Sequence, residues 1–213
     1  MIRGFVSRAA LLLAVSVAAP LGTASAGTCD VTPFVGAMIP ANTLLLQTTS
    51  SSYLRMRTHT IYGLDVMHSL SPKLGLGVVL ATGTGSMELT GGSIGVELAS
   101  TAFIADLRGR YRLMGQEDDN LGLVLGVGYT DFNSGLFDLA HETDQGTFIG
   151  RLTGIAGVDL KGHFTDRLGI KATFVDRIHV SGVQLNGVSG PGYIEKTQND
   201  LCITAELTIK AGH

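Results

Sequence analysis

Three residues near the end of the chain have types and spacing that could do chemistry: His179 and Ser181 in "DRIHVSG", and Glu195 beyond the "GPG" turn signal. On an extended strand, residues two apart share a face, so the imidazole and hydroxyl stand as a base and a nucleophile must. A second set is larger. In "AFIADLRGRYRLM", Asp106, Arg108, Arg110 and Arg112 fall on one parity, and Phe103, Ala105, Leu107, Tyr111 and Leu113 on the other. Charges of both signs confined to one face suit an enclosed polar network, because a buried charge without a partner is costly.

The same alternation recurs along the chain. "LCITAELTIKA" puts Cys202, Thr204, Glu206, Thr208 and Lys210 opposite Leu201, Ile203, Ala205, Leu207, Ile209 and Ala211. In "YLRMRTHTIYGLDVMHSL", one parity holds Leu54, Met56, Tyr62, Leu64 and Val66, and the other Arg55, Arg57, His59 and Asp65. Further strands are expected at "VTPFVGAMIP", "KLGLGVVLATG", "LGLVLGVGYTDF", "TFIGRLTGIAGVDLKG" and "RLGIKATFVDRIHVSG". Period-two alternation over such lengths is the mark of a strand between two unlike environments.

Short turns around Pro72, at Gly115–Asn120 and at His163–Arg167 alternate with long segments at Asn42–Ser52, Ser86–Glu97, Asn133–Gly146 and Val183–Asp200. Three short connections interleaved with four long ones fit an all-β fold, an eight-stranded antiparallel up-and-down transmembrane β-barrel. Parity then assigns a lumen charge network of Arg55, Arg57, Asp65, Asp106, Arg108, Arg110, Arg112, Arg151, Asp159, Lys171, Arg177, Glu206 and Lys210. An eight-stranded barrel is filled by its own side chains, so these are expected to pack against each other rather than line a pore. His59 is expected in the lumen, paired with a carboxylate.

The first 26 residues read as an export signal, with Arg3 and Arg8, the apolar run "AALLLAVSVAAPL" and "ASA" at Ala24–Ala26. Their removal from 213 residues leaves 187, a single barrel domain from residue 27 to residue 213. The net charge of −3 carries no basic surplus for nucleic acid. The histidines lack metal-ligand spacing, and neither metal nor cofactor is expected. The 29 glycines, interleaved with Val, Leu and Ile, suit crowded, curved strands. Cys29 and Cys202 fall at opposite ends of such a barrel, too far apart to bridge.

On the export signal, the Gly-rich alternating strands and short turns such as "HFTDRLGIKATF", the chain resembles the small outer-membrane β-barrels of the OmpA and OmpX type. The resemblance implies residence in the outer membrane of a Gram-negative bacterium, contact with outer-membrane lipid and insertion by the barrel assembly machinery. It also implies loops that face outward and could take an external ligand, without enzymatic activity. Two readings compete with it. "DRIHVSGVQLNGVSGPGYIE" is similar to the His-x-Ser motif of the barrel-borne lipid A deacylases, with Gly182 where that family has an Asn. In that reading His179, Ser181 and Glu195 are catalytic. The other is a soluble lipocalin-like barrel with the apolar parity inside; the missing Trp and the ending "IKAGH" leave it open.

Overall fold

The computed structural model describes residues 28–41, 53–91, 94–115, 119–134, 151–184 and 193–211. All of its regular elements are strands: β1 Cys29–Pro40, β2 Tyr53–Met56, β3 His59–Ser69, β4 Leu74–Gly91, β5 Ile94–Gly115, β6 Asn120–Ser134, β7 Arg151–His163, β8 Leu168–Gln184 and β9 Tyr193–Ala211. Every pairing is antiparallel; β1 pairs with both β3 and β9, β2 pairs with β4, and β4 pairs with β5. The sheet therefore closes into an up-and-down ring of eight staves, the second being β2 and β3 in succession. Closure pairs each stave on both sides around the ring, as a strand structure in lipid requires, and among the described residues one-sided pairing is confined to long-loop extensions such as β2 and 180–184.

The split in the second stave overturns part of the expected parity. Met56 lies opposite Met87 and Thr60 opposite Thr84, so three residues on one side, 57–59, face two on the other. One extra residue is a β-bulge, and it exchanges the two faces of everything beyond it. Met56 consequently turns inward and is buried, while Arg55 and Arg57 are exposed. The two arginines do not belong to the lumen network, and Arg57 instead pairs with Glu88 at 2.7 Å.

Apart from a second register shift between Arg112 and Met114, at the short-turn end of β5, the alternation holds elsewhere. The outward face carries Leu107 at 48 % exposure, Leu125 at 53 % and Val35 at 54 %, among many other large apolar side chains. Such an area of uncovered apolar surface is incompatible with a water-soluble barrel. Toward the short-turn end the inward face is charged, opposite to the lipocalin-like alternative. Tyr62 and Tyr129 toward the long-loop end, and Tyr111 toward the short-turn end, stand outward as aromatic girdles do.

Two expected loops are largely strand. Ser86–Gly91 and Ile94–Glu97 pair along the β4–β5 hairpin, and β8 and β9 remain paired up to Gln184 and Tyr193. In the β4–β5 extension the inward face carries the buried Met87, so the alternation there runs opposite to that of the charged segments. Asn42–Ser52 and the segment 135–150 lie outside the described residues, as do residues 1–27, where the export signal is expected.

Candidate functional site

The lumen holds two unlike layers. Toward the short-turn end, β5 directs Asp106, Arg108, Arg110 and Arg112 inward from alternate positions. Asp106 is the centre of the first cluster. Arg177, wholly buried on β8, donates from Nη1 to Asp106 Oδ2 at 2.6 Å and from Nη2 to Oδ1 at 2.9 Å. Its Nη2 also donates to Thr130 Oγ1 at 2.7 Å. Arg108 adds donors to Asp106 Oδ2 at 3.1 and 2.6 Å. Two guanidinium groups on one carboxylate form a charge-assisted, geometrically fixed unit.

Three further cations, paired with four carboxylates, fill the space below. Arg110 grips Asp159 through Nε at 2.6 Å and Nη2 at 2.5 Å, and also donates to Asn120. Lys171 lies between Asp65 at 2.6 Å and Glu206 at 2.8 Å. Lys161 pairs with Asp30. Lys161 and Lys171 are direct cross-strand neighbours, an arrangement that repels unless each has its own carboxylate, as here. Glycine makes the room: a Cβ on Gly122 would stand 2.6 Å from Asp159 Oδ1 and 2.8 Å from Arg110 Cζ. Gly128 likewise leaves the space occupied by the Asp106 carboxylate.

The structure places Asp65, Asp106, Arg108, Arg110, Asp159, Lys171, Arg177 and Glu206 inside the lumen, and Arg112 and Lys210 at its short-turn mouth. The backbone of Arg151 pairs with Thr130, and its side chain lies outside the described residues. Lys161 and Asp30 were missed. Lys161 stands two positions from Asp159 and shares its face, a signal that was present; Asp30 precedes the irregular "VTPFVGAMIP" and had none.

Toward the long-loop end the lumen turns apolar. Met38, Met56, Ile61, Ala81, Met87 and Phe132 belong to one buried cluster with Ala102, Ile104, Val124, Ile155, Val175 and Cys202. His59 is buried against it, its ring edge-on to Phe132 at 5.6 Å between centroids. Its Nδ1–H donates to the Arg57 carbonyl at 2.8 Å, so the expected carboxylate partner is replaced by the backbone of the bulge.

The His179–Ser181–Glu195 constellation is only partly described. His179 is buried in the lumen, with Nε2 3.2 Å from Gln198 Oε1 and Nδ1 3.7 Å from Asp200 Oδ2. The register puts Ser181 opposite Lys196 and Glu195 opposite Gly182. The side chains of Ser181 and Glu195 lie outside the described residues. Cys29 and Cys202 are both free thiols. Among the described residues no group of His, Cys, Asp or Glu is arranged to hold a metal ion.

No protein-family model matches the chain, and no curated protein matches it. Solved structures do. The outer membrane protein OprG from Pseudomonas aeruginosa aligns over 88 % of this chain and 97 % of its own, with a TM-score of 0.63 at 14 % identity. Neisserial surface protein A covers 88 % of this chain and 98 % of its own, with a TM-score of 0.53 at 9 % identity. AlkL, an outer membrane protein solved in lipid bilayers, covers 88 % and 90 % with a TM-score of 0.53 at 13 % identity. The chain has the fold of the small outer-membrane β-barrels.

Proposed function

We propose that the protein is an outer-membrane barrel of a Gram-negative bacterium, without enzymatic activity, whose role is structural or exerted at the cell surface through its long-loop end. The observation that carries this reading is the filled lumen beneath an apolar outer face. A chain of ion pairs with buried Arg177 and Asp106 occupies the bore, and glycines are placed to seat it. That interior suits a plug better than a conduit, since a passage would need its charges spaced around water. The proteins that share the fold, OprG, Neisserial surface protein A and AlkL, are outer membrane or surface proteins. The export signal, insertion by the assembly machinery and loops open to an external ligand belong to the same reading.

Fractionation of a Gram-negative host expressing the whole chain tests it. Recovery in the outer membrane, with a gel mobility that shifts on boiling and no unitary conductance in planar bilayers, is the expected result. Recovery in the soluble periplasm, or discrete ion channels, overturns it. The absence of enzymatic activity is tested in the same membranes: the acylation of lipid A should be identical with and without the protein. Loss of an acyl chain that depends on Ser181 would replace this reading with the deacylase.

A further inference from the structure

The short-turn end of the lumen opens into a vestibule whose walls are cationic. Lys73, Arg110, Arg112, Lys161, Lys171 and Lys210 all line it, with Asp30 the carboxylate on the wall. Four carboxylates engage three of these cations: Asp159 binds Arg110, Asp30 binds Lys161, and Asp65 and Glu206 bind Lys171. Among the described residues, Lys73 and Arg112 make no ion pair. They are held together all the same, because the Arg112 backbone N–H donates to the Lys73 carbonyl at 2.8 Å.

Deeper in the same vestibule Thr208 is 1 % exposed, and its hydroxyl, like Asp30 Oδ1 on the wall, has no hydrogen-bond partner among the described residues. A buried hydroxyl is ordinarily satisfied, and an orphan one that faces a polar cavity marks a place for a ligand or water acceptor. Cations converging in a concave, partly desolvated mouth attract anions far more strongly than the same charges spread on a surface.

We infer that the short-turn mouth of the barrel is an oxyanion site, in which Lys73 and Arg112 supply the unspent charge and the Thr208 hydroxyl a neutral donor to a phosphate group. Arg112 presents a planar fork suited to two phosphate oxygens, and Lys73 a mobile point charge at the rim. The paired cations behind them keep their carboxylates and set the sign of the field. The inference goes beyond the structural role proposed above, and does not depend on it. The phosphate could be free in the aqueous phase or carried by a lipid headgroup at the rim.

The test is equilibrium binding of inorganic phosphate to the purified whole barrel in dodecyl maltoside, which carries no phosphate itself. Saturable binding, absent for chloride at equal ionic strength, is expected. In the Lys73→Gln/Arg112→Gln variant it should weaken more than tenfold, and in Arg57→Gln, at the opposite end, it should be unchanged. The double substitution lies at the rim, and a retained heat-shift on gels shows that the barrel is intact. Phosphatidylglycerol added to the micelles separates the sources: competition assigns the site to a headgroup, and none assigns it to a water-borne phosphate. No saturable binding, equal displacement by chloride, or full affinity in the double variant would overturn the inference.

Discussion

The two ends of the lumen obey opposite rules, and β5 shows the change within one strand. Inward from the short-turn end it places Arg112, Arg110, Arg108 and Asp106, and then Ile104, Ala102, Ser100 and Leu98. Its outward face changes in the opposite sense, from Leu113, Tyr111, Leu107 and Phe103 to Thr101 and Glu97. β4 does the same, with Leu74, Leu76, Val78 and Leu80 outward before Thr82, Thr84, Ser86 and Glu88. Where the outer face meets hydrocarbon, polar groups must be inside; where it meets water, apolar groups go inside. The level at which the two patterns exchange is therefore the boundary of the membrane, written into the strands near Leu80 and Phe103.

The comparison can be broken by mutation, and the largest effect is expected in the charged layer. Asp106→Ala strands the wholly buried Arg177 and should cost about 3–5 kcal/mol, read from denaturant unfolding of the barrel in micelles. The same experiment on Asp106→Leu/Arg177→Met should return most of that loss, since a buried pair replaced by apolar groups is often near neutral. A loss that persists in the double variant would mean that the layer is needed for more than charge balance.

The boundary is tested by one residue on each side of it. Leu107→Arg, in the apolar belt, should cost about 2–4 kcal/mol in lipid, and Thr84→Arg, beyond the exchange level, about 0–1 kcal/mol. Equal costs would dissolve the boundary. Gly128→Ala puts a methyl where the Asp106 carboxylate stands and should cost about 1–3 kcal/mol, the range of overpacked interiors. Smallest of all, Arg57→Gln removes an exposed pair with Glu88, and its effect should stay within about 1 kcal/mol and vanish at high salt.

Most of the ring was legible because one rule, alternation, governs each strand in the membrane. β9 kept the parity of Thr204, Glu206 and Thr208 inside without a break. What could not be read had specific physical causes. The bulge after Met56 is set by pairing with β4, a contact between segments distant in sequence, and it alone turned Arg55 and Arg57 outward. The apolar cluster around Met87 and Phe132 was hidden because an apolar parity reads the same whether lipid or a second apolar wall covers it. Alternation can put charged residues on one face, but their pairings, such as Lys171 with Asp65 across 106 positions of sequence, follow only from closure of the ring.

Those pairings have a mechanical consequence. A ring of eight staves joined only to their neighbours can flatten, because each seam is a hinge. Here β5 is tied to β8 through Asp106 and Arg177, β7 to β1 through Lys161 and Asp30, and β8 to β3 through Lys171 and Asp65. Each tie spans three places around the circle. Struts across a hoop fix its outline, so flattening this ring requires breaking buried ion pairs as well as bending the sheet.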